Sequence, residues 1–581
     1  MNKLSIVNRF DLAFGKLLLL WGISLGAMLL ASFAIALAPR SVSAAERLRF
    51  NYGVLGFSLS VDSLELYAKE GKINDELNFY IKRLDEKTVK QLRRVLRRRI
   101  EIEPTSLYHL SRSPMVVEII RNLGEVATTH YGHNGFYAIR GSVTNAAFKH
   151  QAGITLIDVL REFPTEDILL NTAKLFELRK DLTSLAKYRQ AVIKLVIQQA
   201  QIEADDNNAK SFLPPKDLRT PGGFSFSQQT LTISSRMGDK SSGIRSREPF
   251  SVRLYLPLGL AKPAPVVVLS HGFGSEAKSF NYLGEHLASY GIAAVSVEHI
   301  GSNFNYELEF LEGANKNAIA PQEFIERPLD VHSVLDELER RNSNNLALKG
   351  EFDLNKIGVI GHSLGGYTAL ALAGAEIDLA RLRQQCPNKK IDLNMSLLMQ
   401  CQAKDLVDRQ KLADPRIKGA IAISPIVSAV LGEKSLSKIS VPTAIMSGNK
   451  DIIAPVVQEQ VYPFTWLSAK DKYLAMVTPG DHFSIGGLPP KEPKNPTIIE
   501  EFVGKRMASG QSYIKAFAVA FVKAHIEQDA EYLPYLSASY AKDISSKQLD
   551  FDLIRSLNLK MLEQEYSDIL PTIMPSLVLS Q

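Results

Sequence analysis

From about residue 226 the sequence predicts an α/β fold, a largely parallel sheet with helices on both faces, and before it a mainly helical segment. Three observations carry this. Short β-rich runs alternate with helical ones, the pattern of successive strand–helix units. The middle runs are continuously apolar, as strands covered on both faces must be. One strand-to-helix junction reads Gly361-His362-Ser363-Leu364-Gly365, a turn too tight for side chains on its flanking positions.

The strand candidates are Leu231–Ser234, Val252–Leu256, Val266–Leu269, Ala293–Val297, Ile357–Ile360, Ala420–Ile423, Thr443–Met446 and Tyr473–Val477. Helical candidates between them include Phe280–Tyr290, Pro328–Arg341 and Leu364–Ala373, with Ser512–Ile526 closing the domain. The catalytic domain is expected over 226–530, with an insertion at 376–416 and a C-terminal extension at 531–581. Residues 203–225, with Pro214-Pro215 and Pro221-Gly222-Gly223, read as a linker.

Residues 46–202 carry apolar positions at helical spacing, such as Leu92, Val95 and Leu96, or Val116, Ile119, Ile120 and Leu123. Pro114 after Ser113 is a capped helix start. Phe57, Leu59 and Val61 alternate and suggest a short hairpin. Arg93, Arg94, Arg97, Arg98 and Arg99 form a basic cluster, either the solvated face of a helix or a contact for anionic lipid. His130 and His133 lack further ligands for a metal and read as loop residues.

At the N-terminus, Lys3, Arg9 and Lys16 precede an uncharged run from Leu17 to Ala38, followed by Ser41-Val42-Ser43-Ala44-Ala45. Residues 1–45 thus read as a secretory leader cleaved after Ala44 or Ala45, or as a retained anchor, since about 20 apolar residues span a bilayer. Either way the body of the protein is exported, to a periplasmic, extracellular or lumenal side. In that setting the lone pair Cys386 and Cys401 is expected to form a disulfide. A net charge of +6 over 581 residues gives no reason to expect nucleic-acid binding. A membrane surface, met through the N-terminal segment or the arginine cluster, is an open partner; oligomeric state is not encoded in any visible signal.

The chemistry centres on Ser363. At a strand-to-helix elbow its Oγ is exposed, and the following helix start favours a developing negative charge. A serine needs a base. His482, in the loop after Tyr473–Val477, has the right place in the chain. Asp451, after Thr443–Met446, is the acid expected to orient it; Asp481 is a competing carboxylate, badly placed beside the histidine it would hold. The order Ser, Asp, His belongs to this kind of sheet. Two amides should form the oxyanion hole, that of Leu364 and that of Phe273 in the loop His271-Gly272-Phe273-Gly274. Gly272 and Gly274 let that backbone approach a substrate, and Gly361 and Gly365 let the elbow close. No cofactor and no metal are called for.

These motifs resemble the α/β-hydrolase superfamily. Residues 250–530 are similar to its platelet-activating-factor acetylhydrolase and dienelactone-hydrolase-like branch, and the exported leading region resembles a cyanobacterial group whose leading domain has no assigned function. The resemblance implies hydrolysis of a small or lipid ester through an acyl-enzyme. Two departures stand out. Dienelactone hydrolases use cysteine where this chain has Ser363. Plasma-type acetylhydrolases carry the acid one strand earlier, where this chain has Ser424. Amide hydrolysis, acyl transfer and a non-catalytic envelope-binding role are the alternatives that the same residues leave open.

Overall fold

The structure is a computed structural model that describes residues 45–205, 216–234, 248–315, 317, 319–386, 394–407, 411–486 and 506–573. The leader or anchor up to residue 44, residues 206–215 of the linker and the middle of the insertion lie outside the described residues. The chain divides into two compact units. Among the described residues, one runs to Thr183 and includes 308–315 and 317; the other comprises the remainder.

The leading unit is not helical throughout. It contains a four-stranded mixed sheet of β1 (Arg47–Tyr52), β2 (Leu55–Ser60), β3 (Ala127–Thr128) and β4 (Asp167–Leu170), in the order β2-β1-β4-β3. The expected hairpin is β1–β2, paired from Arg47↔Ser60 to Tyr52↔Leu55. Its inner residues Leu48, Phe50 and Leu59 are buried. β4 joins β1 in parallel, and sequence reading misses it because Asp167–Leu170 is too short to show a period.

Helices complete this unit, and their ends follow capping chemistry. Asp85 caps Glu86–Arg97 through Thr88 N, Ser113 caps Pro114–Val126, and Thr155 with Asp158 forms a capping box on Leu156–Arg161. Part of the arginine cluster is used internally. Arg93 donates to the carbonyls of Tyr67, Ala68 and Lys69 at the end of helix Val61–Glu70, and Arg99 donates to Gly153 O at 3.0 Å. Arg94 and Arg97 are exposed.

The second unit is built on a nine-stranded sheet: β5 (Phe226–Ile233), β6 (Phe250–Pro257), β7 (Ala264–Ser270), β8 (Ala293–Val297), β9 (Phe352–His362), β10 (Ile417–Ile423), β11 (Thr443–Gly448), β12 (Lys472–Thr478) and β13 (Asp550–Ile554). The order is β13-β12-β11-β10-β9-β7-β8-β6-β5. The six strands from β8 to β12 in that order are parallel, whereas β5, β6 and β13 pair antiparallel. This is the α/β-hydrolase fold. Every strand candidate in the sequence is present: Ala293–Val297 coincides with β8, Leu231–Ser234 overlaps β5 except at Ser234, and the others extend by one to several residues. β13 was not anticipated: Asp550 and Asp552 interrupt its apolar run, and it lies past residue 530.

Buried side chains fill both faces of the sheet. On one face Val331, Val334, Leu335 and Leu338 of helix Glu323–Asn344 pack with Val266, Val268 and Val359. On the other, Phe517 and Phe521 of helix Arg506–Phe521 pack with Ala444, Tyr473 and Ala475. Burial of a Val, Leu or Phe contributes about 1.5–3 kcal/mol each, so the sheet is the rigid frame from whose carboxyl ends the site loops emerge.

Cys386 and Cys401 are bonded, with Cα atoms 5.4 Å apart and a sequence separation of 15. Next to the bridge, Gln400 accepts from the amides of Ala429 and Val430 and donates to the buried Glu459 carboxylate. That carboxylate also accepts from Val427 N, Ser428 N and Ser428 Oγ. The insertion is thereby tied to the segment following β10. Among the described residues, no helix is long and apolar enough to cross a membrane.

Candidate active site

β9 ends at His362, and helix Leu364–Leu372 begins two residues later. Ser363 between them takes φ 56° and ψ −116°, a conformation that costs a non-glycine residue on the order of 1–3 kcal/mol. Its backbone is held on both sides: Ser363 N donates to Ile423 O at 2.8 Å, and its carbonyl accepts from Gly366 N and Tyr367 N. A Cβ on Gly361 would lie 1.9 Å from Gly365 O, and one on Gly365 would lie 2.0 Å from Ser270 O. The two glycines are therefore a steric requirement of the elbow. Ser363 Oγ makes no hydrogen bond among the described residues.

Asp451 and His482 come from the ends of β11 and β12, adjacent parallel strands. Their loops are laced together: Lys450 N donates to Gly480 O at 2.7 Å, Asn449 N to Val477 O at 3.2 Å, and Gly480 N to Asn449 Oδ1 at 3.1 Å. Asp451 Oδ1 accepts from the amides of Ile453 and Ala454, and Oδ2 lies 2.7 Å from His482 Nδ1. Both residues are buried. A buried carboxylate on Nδ1 holds the proton there and leaves Nε2 as the basic nitrogen. Asp481 turns elsewhere. Its Oδ1 accepts from Phe483 N and Ser484 N, and its own amide donates to Ser484 Oγ.

His362, next in chain to the serine, joins the two halves. Its Nε2 is 2.9 Å from His482 O, and the two rings lie 4.8 Å apart. Burial, reinforced by the neighbouring His482, depresses its pKa to about 3. It is neutral at working pH and donates Nε2–H to that carbonyl. Gly486 and Gly272 both pack on its ring: a Cβ on either would lie within 3.0 Å of it.

The loop after β7 lies against the elbow, for a Cβ on Gly272 would also meet Ser363 Cβ at 3.3 Å. Gly274 has φ +65°, and a Cβ there would strike Glu307. Beneath the loop is a buried polar network that no sequence motif announces. His271 Nδ1 donates to Gly272 O at 2.7 Å, and its Nε2 accepts from His299 N at 3.1 Å. Burial, then the Arg327 charge, holds the His271 pKa well below its ordinary value, consistent with that neutral tautomer. His299 bridges Ser270 Oγ at 2.9 Å and Asp330 Oδ2 at 2.9 Å. Arg327, fully buried, donates to His271 O at 2.5 Å and to Ser302 Oγ at 2.8 Å, and pairs with Glu323 at 3.5 Å. Ser302 Oγ in turn bonds Glu323, and Ser302 O accepts from Gly274 N at 3.0 Å.

With those bonds made, the amides of Phe273 and Leu364 find no acceptor among the described residues. They belong to the loop and the elbow helix that meet at Ser363. At the end of β10, where the acetylhydrolase pattern has its acid, Ser424 is fully buried at φ 43° and its Oγ has no hydrogen-bond partner among the described residues.

A family model described as an alpha/beta hydrolase of unknown function (DUF1400) matches residues 44–171. The matched stretch lies wholly before β5, so it relates the leading unit to that family and includes none of Ser363, Asp451 or His482. No curated protein matches the chain.

Proposed function

We propose that the protein is an exported serine hydrolase that cleaves carboxylic esters, small or lipidic, through an acyl-enzyme. The observation that carries this reading is the positive-φ Ser363 at the strand–helix elbow, next in chain to the histidine that holds His482, itself bonded to buried Asp451. Ser363 Oγ attacks the acyl carbonyl as His482 Nε2 takes its proton. Asp451 stabilises the imidazolium, and the amides of Phe273 and Leu364 stabilise the oxyanion. His482 then protonates the leaving alcohol, and water attacking the acyl-enzyme releases the acid. The free Ser363 Oγ suits a site whose serine–histidine bond tightens only on substrate.

The Cys386–Cys401 bond supports export to an oxidising compartment. The carboxylate on β11 rather than β10 separates this chain from the plasma-type acetylhydrolase arrangement, so a general carboxylic ester is the better-supported substrate class. A fluorophosphonate probe tests the reading on the mature protein. It should label Ser363 stoichiometrically, and p-nitrophenyl esters of graded chain length should then define the acyl preference. An unlabelled protein that hydrolyses none of these esters would overturn it.

A further inference from the structure

The leading unit has a polar cavity of about 420 Å³, lined by Arg49, Asn51, Ser58, His130 and Asp167 together with the sheet residues Gly56, Phe57 and Leu169. Its volume is in the range of small-ligand pockets. Asp167 forms its floor. The carboxylate is 2 % exposed, with one oxygen 2.7 Å from Arg49 Nε and the other 3.0 Å from His130 Nδ1. The buried carboxylate thus hydrogen-bonds His130 through one oxygen, and pairs with Arg49 by charge through the other, which has no hydrogen-bond partner among the described residues. The outer nitrogens, Arg49 Nη1 and Nη2 and His130 Nε2, belong to side chains that are 49 % and 45 % exposed, and they make no hydrogen bond among the described residues.

Charge selects the ligand. Asp167 offsets the Arg49 charge, so the site carries no large net charge. That suits a monoanion, and a guanidinium fork beside an imidazole N–H suits two oxygens of one phosphate. The rim selects further. Val54 and Leu55, at the tip of the hairpin whose strands line the cavity, are fully and 57 % exposed, and Tyr131, next to His130, is 81 % exposed. Apolar tips beside a recessed anion site match an amphiphile.

We infer that this cavity binds the phosphodiester headgroup of an anionic membrane lipid, with Val54, Leu55 and Tyr131 entering the interface. The inference does not depend on the chemistry at Ser363. The test is flotation of the mature protein with phosphatidylcholine vesicles, with and without phosphatidylglycerol, competed by inorganic phosphate and by glycerol phosphate. Anionic vesicles should bind, neutral ones much less, and both competitors should displace. His130→Gln and Arg49→Gln should each weaken vesicle binding by about tenfold, the scale of one lost charge-assisted bond. Leu55→Asp should weaken it while leaving phosphate binding intact. His130 and Leu55 are exposed enough that their variants should melt like the parent, which keeps the test valid should Arg49→Gln misfold. Arg94→Gln with Arg97→Gln distinguishes a diffuse basic surface. The inference fails if wild type ignores phosphatidylglycerol, if His130→Gln binds as wild type does, or if the arginine pair carries the effect instead. Binding of free phosphate with no vesicle association would replace the lipid by a soluble phosphate ester and overturn the membrane role.

Discussion

Two serine–histidine–aspartate sets lie within the sheet unit, and the better hydrogen-bonded one is not the one proposed to react. Ser270, His299 and Asp330 form a complete relay, 2.9 Å at each link. Ser363, His482 and Asp451 have only the histidine–aspartate link, at 2.7 Å. Ser270, however, is the last residue of a strand, wholly buried along with His299, and its hydroxyl is already engaged. Ser363 sits strained on the elbow, 6 % exposed, with its hydroxyl unengaged and two unclaimed amides nearby. A hydrogen-bonded constellation is thus a poor marker of a nucleophile by itself. Backbone strain that projects the oxygen and donors left for an oxyanion distinguish the two.

The sharpest way to break this contrast is to remove each serine. Ser363→Ala should abolish fluorophosphonate labelling and lower ester turnover by about 10⁴-fold or more. Ser270→Ala should keep stoichiometric labelling and lose about tenfold or less, through a looser loop. Probe found on Ser270, or residual turnover in Ser363→Ala comparable to wild type, would reverse the assignment.

The aspartates should follow the serines on a smaller scale. Asp451→Asn leaves the imidazole free to adopt the wrong tautomer, and kcat should fall by about 10⁴-fold with KM little changed. Asp481→Asn, whose carboxylate caps a local turn, should stay within about tenfold. Asp330→Asn and Arg327→Gln act through the loop that presents Phe273. A fall in kcat of about 10–100-fold, less than the loss of a whole oxyanion donor, is expected at near-constant KM, alongside a lower melting temperature. An equal loss in Asp330→Asn and Asp451→Asn would show that the second relay reaches the reaction directly.

Both aspartate–histidine links join residues 31 apart in sequence, yet only one was legible in advance. Asp451 and His482 follow consecutive apolar strands, and the elbow glycines announce the serine they serve. His299 and Asp330 meet only because β8 and helix Glu323–Asn344 pack side by side, which no spacing encodes. His362 and Glu459 were invisible for the same reason: their partners, a backbone carbonyl for His362 and backbone amides together with Gln400 and Ser428 for Glu459, are brought near by tertiary packing. The central strands were legible because burial on both faces leaves long apolar runs. β3 and β4 are too short for a period, and β13 carries two aspartates.

The disulfide sets a smaller difference. Cys386→Ser with Cys401→Ser frees a loop of 15 residues, at a cost of about 3 kcal/mol or less by loop-closure entropy. Gln400 and Glu459 still tie the insertion down, so activity at low temperature should survive while the denaturation midpoint falls. Non-reducing peptide mapping of the exported protein should find the two cysteines joined. Free thiols there would count against the bond and against the oxidising compartment.

The smallest effect concerns a buried carboxylate on the same sheet that has no imidazole. Asp552, in β13 opposite Met476, pairs with no cation at ion-pair distance among the described residues. Burial, then the neighbouring Asp550, pushes its pKa up to about 6 from an ordinary 3.8, against a weaker opposing pull from Lys542. The folded state therefore holds this proton more tightly than the unfolded chain does. Stability from this group is complete below about pH 4 and is lost as pH rises toward 6. Asp552→Asn keeps the shape without the charge. It should leave the melting temperature unchanged near pH 4 and raise stability by on the order of 1–3 kcal/mol at pH 7, the scale of a shift of this size. Asp451 and Asp330 are equally buried but each faces a histidine, and the same substitution there should destabilise at pH 7. A gain for Asp552→Asn with losses for the other two would show that the imidazole partner is what makes a buried carboxylate tolerable in this sheet. Three losses would mean that Asp552 has found a partner of its own.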